Sequence, residues 1–454
     1  MDATGLSSAT PSSRAFESAA ATLTRDDVER FGRQMLVEEM GAAHVEEIRR
    51  GRVVCIGAGG LGSTVLLYLA GAGVGHLTIV DFDEVELSNL HRQVIHQMAS
   101  IGQPKAESAK AACLRLFPAA NVEALTTALT PANAERIFRD CDVVVDGTDN
   151  VAARYLINDA AMRCRKPLVS GSAIGWDGQL SVYGYRDGPC YRCLFPLPPP
   201  KEAVGSCNDS GVMGPLPGMI GCLQALETLK VLTGVGEALN GRLFVFNGLR
   251  FTSRVVQLRG KQPQCTACSP SALAETTLLT ELAASRRPEY VGAGCAAVPG
   301  PLSPSTSCTV EDFAAQRRAA ASATLTLDVR AGVQYDMAHL PHSICVPYER
   351  LLQWERAGTL LAQLDELLHD AVKTTGTTDN TEASRTAPVP VFVVCRRGIN
   401  SVKAVKLIER ALDSVDEHQD TQHVASLMHT FVFKNVEGGL NAYHRKVDRE
   451  FPFY

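Results

Sequence analysis

The sequence predicts an α/β protein, an open and mostly parallel sheet followed by a second, smaller α/β domain. Three observations carry this. The stretch Arg52–Asp83 reads as strand, glycine turn, helix and strand. Short apolar runs and helical patterns go on alternating after it. Much later, a fully apolar strand, Pro390–Cys395, runs straight into another helical pattern. With 454 residues, 45% of them hydrophobic, the chain can bury a large core and has room for two or three domains.

Taken in order, residues 1–22 are rich in Ser, Ala and Thr and have no apolar h-region, so they read as a disordered tail rather than a secretory signal. Residues 23–270 form the first domain. Thr24 is the expected N-cap of a helix with Asp26 and Asp27 in its first turn. In Arg52–Asp83, the turn Gly57-Ala58-Gly59-Gly60-Leu61-Gly62 lets backbone N–H groups approach a phosphate, and the helix N-terminus behind it adds its positive end. Asp81 and Asp83 close the second strand, where a ribose hydroxyl would be gripped. Such a turn by default suggests NAD or FAD. The next segment argues otherwise: Ser88-Asn89-Leu90-His91-Arg92-Gln93, then Lys105, then Asp149-Asn150. Cations beside a carboxylate suit the departure of pyrophosphate with magnesium, so ATP is the better ligand.

These residues resemble the adenylation domain of the MoeB/ThiF and ubiquitin-activating enzyme superfamily, with matching order and spacing from about Leu23 to Pro270. The resemblance implies a Rossmann-like domain in which Gly60, Asp81, Ser88–Arg92, Lys105, Asp149 and Asn150 contact ATP or its magnesium, with Asp149 as the magnesium ligand. Glu29-Arg30-Phe31-Gly32-Arg33-Gln34 resembles the superfamily's RYxRQ element with Phe31 in place of tyrosine. By that resemblance Arg33 reaches a partner's ATP in trans, which implies a homodimer. A solvated helix arginine is the alternative.

The strands expected next are Cys141–Asp146, Lys166–Ser170, Gln179–Tyr183 and Arg242–Phe246, with helices at Val151–Cys164 and Pro217–Leu232. Cys190-Tyr191-Arg192-Cys193 and Cys265-Thr266-Ala267-Cys268 are two CxxC pairs far apart in the chain, a pattern that reads as a structural four-thiolate zinc site. It also matches the zinc site of MoeB-like enzymes. Between the pairs, Cys207 sits among Gly, Ser, Asn and Asp, which is a loop setting where a thiolate could attack an activated carboxyl. That loop resembles the superfamily's CxxxGVxGP element; a bystander cysteine is the alternative. Of the fourteen cysteines, Cys55, Cys113, Cys141, Cys164, Cys222 and Cys345 lie in apolar or helical settings and are expected as small core residues.

Residues 271–306 have the Ala, Ser, Gly and Pro content of a linker, with a helical stretch at Ser271–Ser285. Residues 307–454 form the second domain, interrupted by a Thr- and Asn-rich insertion at about 373–388 that is expected as a disordered surface loop. Its strands are Thr324–Val329 and Pro390–Cys395, and its helix is Val402–Leu412. Cys395, between a buried strand and a helix start, faces a bowl of backbone N–H groups with Arg396 and Arg397 beside it. All of these favour a thiolate or a bound anion. Cysteine phosphatases and sulfurtransferases share this geometry.

Cys395–Ser401 resembles the CxxGxxS loop of single-domain rhodaneses, whereas a tyrosine-phosphatase loop would end in Arg before Ser or Thr. Asp328-Val329-Arg330, Ala338-His339-Leu340-Pro341-His342 and Gly438-Gly439 stand where rhodaneses have D-V-R, G-H-I-x-G and G-G, with Ala338 and His342 replacing glycines. The resemblance implies a Cys395 persulfide. A structural, inactive rhodanese is the alternative.

The two halves in this order resemble the eukaryotic molybdopterin-synthase adenylyltransferases and sulfurtransferases, which also activate the ubiquitin-related modifier. That implies adenylation of a Gly-Gly-ending ubiquitin-like sulfur carrier and then sulfur transfer to give a thiocarboxylate. Such a product serves tRNA 2-thiolation or molybdenum-cofactor synthesis. An upstream persulfide donor such as a cysteine desulfurase would load Cys395. Two other readings stay open: an activating enzyme that forms a thioester at Cys207 with the second domain as a docking module, and a scaffold that does not turn over ATP. Net charge −5 argues against direct nucleic-acid binding, no apolar run is long enough to span a membrane, and the expected compartment is the cytoplasm.

Overall fold

A computed structural model describes residues 23–199, 211–274, 279–285, 302–303, 305–319, 324–374, 388–413 and 421–452. The expected tail, the Cys207 loop and most of the expected insertion lie outside the described residues. The chain divides into two units, Met1–Ala296 and Ala297–Tyr454.

The first unit is built on strands β1 (Arg52–Ile56), β2 (His76–Val80), β3 (Val122–Leu125), β4 (Val143–Asp146), β5 (Leu168–Ile174), β6 (Asp177–Tyr183), β7 (Arg242–Asn247) and β8 (Thr252–Gln257). They lie in the order β3-β2-β1-β4-β5-β6-β7-β8. The first five are parallel and the last three antiparallel. Parallel strands covered on both faces must be apolar on both, which is why β1 and β4 read as nearly unbroken apolar runs. Along β1, Val53 and Cys55 face one core cluster while Val54 and Ile56 face the other. The helices Gly60–Gly71 and Pro215–Thr233 pack together, joined where the Thr64 hydroxyl donates to the Gly218 carbonyl at 2.8 Å.

The sequence did not point to β3 or β8. β3 is four residues long, and β8 is exposed along its whole length, so neither has a distinct apolar pattern. The two expected strands around Gly171 extend into a longer hairpin, β5–β6. Within the stretch read as a linker, Leu279 and Leu282 are buried in the first unit's core.

The strand order reverses about β1: β2 and β3 are added on one side of it and β4 and β5 on the other, all parallel. In such sheets this switch point opens a crevice at the carboxyl ends of the strands. Gly57, with φ +94°, follows β1, and Gly147 follows β4. The Gly57 N–H donates to the Val80 carbonyl and the Gly147 N–H to the Ile56 carbonyl, both at 2.9 Å.

The second unit has β9 (Ser307–Cys308), β10 (Leu325–Asp328), β11 (Ser343–Cys345), β12 (Val389–Val394) and β13 (Phe431–Val436), all parallel, in the order β11-β10-β12-β13-β9. β12 is central, with Val391 and Val393 in one core cluster and Phe392 and Val394 in the other. Among the described residues, no helix is long and apolar enough to cross a membrane.

Candidate functional sites

The glycine turn is held by its own backbone. A Cβ on Gly62 would lie 2.0 Å from the Gly57 carbonyl oxygen, closer than any real contact. Gly59 is the N-cap of the helix that starts at Gly60, so the free N–H groups of its first turn open at the crevice. Asp81 is buried. Its Oδ2 accepts from the Ala58 N–H at 2.8 Å and its Oδ1 from the Asp83 N–H at 2.9 Å. Burial pushes its carboxyl above the usual carboxylate range, against the pull of Lys105 and the two backbone donors. Asp81 therefore shapes the turn directly. Asp83, half exposed, is ion-paired with the Lys105 ammonium at 2.8 Å.

The segment Ser88–Gln93 folds as a 3-10 turn and loop against the crevice. Arg92 donates to the Ser88 carbonyl at 3.1 Å. Burial lowers its pKa, offset in part by Asp149 and Glu86. His91 lies against it, 2.8 Å from the guanidinium. Leu90 is half-buried. Among the described residues, Asn89 Oδ1 and Gln93 Oε1 are buried with no hydrogen-bond partner, so acceptor atoms stand ready for a donor. Asp149 is exposed. Asn150 caps the helix Val151–Arg163, accepting from the Ala153 N–H at 2.6 Å. Arg33 is exposed on the helix Arg25–Met35, which begins with the expected N-cap Thr24, here in a capping box with Asp27.

Sequence reasoning gave the residues at the floor of this crevice no role of their own. Asp146 is fully buried: its Oδ1 accepts from the Thr148 N–H and hydroxyl, and its Oδ2 from Arg154 Nε at 3.2 Å and the Ser170 hydroxyl at 2.8 Å. Gln224 donates to the carbonyls of Asp146 and Val169, clamping the ends of β4 and β5. The only local signal was an acidic residue ending an apolar strand.

Cys190, Cys193, Cys265 and Cys268 converge: their sulfurs all lie within 4.8 Å of one another and all four residues are buried, a set that could hold a metal ion. The Gln262 N–H points at Cys193 Sγ at 3.3 Å and the Ala267 N–H at Cys265 Sγ at 3.5 Å. Hydrogen bonding with Cys190 draws the Cys193 and Cys265 thiols below their usual range. Behind Cys190, a buried Arg192–Asp159 ion pair at 2.8 Å and the Asn158 amide, which takes the Tyr191 N–H, fix the loop. Cys55, Cys113 and Cys141 are buried, whereas Cys164, Cys222 and Cys345 are only half-buried.

In the second unit, Cys395 follows β12 and is buried. The Gly398 N–H reaches its sulfur at 3.2 Å and the Ser401 hydroxyl lies at 3.3 Å. Ser401 in turn donates to Asn435 Oδ1 at 2.7 Å. The loop is closed by Gly439, where a Cβ would lie 2.2 Å from the Cys395 carbonyl oxygen. Asp328 and Arg330 form a fully buried ion pair at 2.6 Å, and Arg330 also donates to the Ala338 carbonyl at 2.7 Å. His342 takes the left-handed conformation, φ +59°, at the place where the rhodanese pattern has glycine.

A glycine crevice at the switch point, floored by Asp146 and flanked by Arg92 and Lys105, defines a class, and residues 31–267 match it: the chain belongs to the ThiF family. It is 38% identical over 439 residues to the adenylyltransferase and sulfurtransferase MOCS3 of Drosophila virilis, covering 96% of this chain and 87% of that one. It is 39% identical over 446 residues to the protein of the same name in Culex quinquefasciatus, covering 95% and 90%. Among solved structures, E. coli MccB with MccA-N7isoASN aligns with a TM-score of 0.49 at 18% identity, covering 54% of this chain and 75% of that one.

Proposed function

We propose that this enzyme, an adenylyltransferase and sulfurtransferase, activates the C-terminal glycine of a ubiquitin-like sulfur carrier and converts it to a thiocarboxylate. A carboxylate resists nucleophiles, so it must first become an acyl-adenylate: its oxygen attacks the α-phosphorus of ATP and pyrophosphate leaves. Arg92 and Lys105 offer positive charge to the phosphates, and Asn89 and Gln93 offer buried acceptors. Asp149 is the exposed carboxylate that would hold magnesium, which neutralises phosphate charge when bound. Arg33 completes the site from a second copy of the chain.

Sulfur arrives as a persulfide on Cys395, loaded by an upstream donor such as a cysteine desulfurase. Its outer sulfur attacks the acyl carbon and AMP leaves, giving an acyl-disulfide. A thiol then attacks the Cys395 sulfur, releasing the thiocarboxylate and leaving a disulfide. Cys207 is our candidate for that thiol. The observation that carries this reading is Cys395 itself, its sulfur facing the Gly398 N–H in the same chain as the glycine crevice.

The four-cysteine cluster fits zinc. A tetrahedral site with arms of ~2.3 Å places sulfurs about 3.8 Å apart, and here Cys190 and Cys193 are 3.9 Å apart and Cys193 and Cys268 3.5 Å. A closed four-thiolate zinc is structural, linking two loops. Thiols with these tasks require a reducing compartment, and we assign the cytoplasm. The product would serve tRNA 2-thiolation or molybdenum-cofactor synthesis.

Intact mass of a Gly-Gly-ending carrier after incubation with ATP, magnesium and a sulfur donor tests the reading. The expected gain is about sixteen mass units, oxygen replaced by sulfur. With Cys395→Ala the gain disappears while carrier-dependent ATP–pyrophosphate exchange persists. Unchanged thiocarboxylate formation in that variant would leave only an activating enzyme acting through Cys207, and no exchange in the parent would leave a scaffold.

A further inference from the structure

His96 lies outside every role assigned so far. It is buried, 6% exposed, with Nε2 3.0 Å from the Ala58 carbonyl oxygen and Nδ1 2.9 Å from the Ser108 hydroxyl. We infer that His96 is a positioning residue for adenylation, holding the Ala58–Gly59 peptide in the orientation that binds phosphate; this rests on the nucleotide reading of the crevice.

A carbonyl only accepts, so Nε2 carries the proton; in the neutral ring Nδ1 then accepts from Ser108. Burial, the largest influence on the ring, holds its pKa below the ordinary range, in keeping with that neutral form. The Ala58 N–H is meanwhile taken by Asp81 at 2.8 Å, so this fully buried residue is gripped at both ends. It needs the grip because Gly57 and Gly59 flank it, and glycine resists rotation least.

In a planar trans peptide the C=O and the following N–H point in opposite directions. Binding the Ala58 oxygen therefore turns the Gly59 N–H away from His96. A phosphate-binding turn needs its N–H groups outward and its carbonyls withdrawn. Ser108 lies on the helix Lys105–Leu116, so one ring also ties the turn to the helix that presents Lys105.

The test is direct binding of ATP with magnesium to the full chain, by calorimetry, alongside thermal unfolding. Glutamine can place an amide N–H near the histidine Nε2 position, while asparagine keeps the Ser108 contact but cannot reach Ala58. His96→Asn is expected to weaken ATP on the order of tenfold. His96→Gln is expected to stay within about threefold of the parent on the same reasoning. ATP affinity equal to the parent in His96→Asn, or equal losses in His96→Asn and His96→Gln, would overturn the inference. A parent chain that binds no ATP would instead sink the nucleotide reading beneath it.

Discussion

Gly62 accepts no side chain, because the atom that a Cβ would strike, the Gly57 carbonyl oxygen, is backbone and cannot rotate aside. Gly62→Ala is expected to cost about 1–3 kcal/mol and to abolish pyrophosphate exchange. Urea unfolding and the exchange assay check both; parent-like values would mean the turn yields to a side chain at Gly62. His96 makes a prediction of a different kind. Burial and Lys105 lower its pKa in the folded chain, with only the Ala58 bond opposing them. The unfolded chain takes up a proton near the ordinary value of about 6.5 that the folded chain refuses. This group's share of stability is therefore complete above that pH and falls as the pH drops towards the lowered native value. Urea unfolding of the parent between about pH 7 and pH 5 should lose stability more steeply than His96→Gln. Equal slopes would show that another group governs the acid limb.

Among the elements, the helix Val151–Arg163 depends on the Asn150 cap, whose side chain takes the Ala153 N–H. Asn150→Ala should cost about 1 kcal/mol, or about 2–4 °C in unfolding temperature for a unit of this size. Asn150→Asp keeps an acceptor and should recover most of it. The four cysteines act at the same scale, since Cys190 and Cys193 belong to the short helix Tyr191–Leu194 and its N-cap, and Cys265 and Cys268 to a turn far along the chain. Metal analysis of the purified chain should find about one zinc per chain, and a chelator or Cys265→Ser should lower the unfolding temperature. Metal-free protein with unaltered stability would leave the cluster as packed thiols.

For the whole molecule the question is how many chains make one site. If Arg33 works in trans, Arg33→Ala and Asp149→Ala should each fail in pyrophosphate exchange, yet dimers formed by co-expressing them should regain activity. Random pairing gives one intact site in half of the dimers, so recovery approaches roughly a quarter of the parent rate. No recovery would place Arg33 in its own chain's site or in none.

Much of this was legible along the chain. The glycine turn, the two CxxC pairs and the Cys395 loop are runs of neighbouring residues, and their chemistry follows from local spacing. The central strands were legible too, because strands buried on both faces are continuously apolar, whereas the exposed β8 had no such mark. Tertiary structure alone decided which distant residues meet. Asp146 with Arg154 and Ser170, His96 with Ala58 and Ser108, and Arg192 with Asp159 are joined across the fold. It also decided that Asp81 serves the turn's own backbone while Asp83 pairs with Lys105. A buried polar group must find a partner wherever packing brings one, and that choice depends on folded distance, which sequence separation does not reveal.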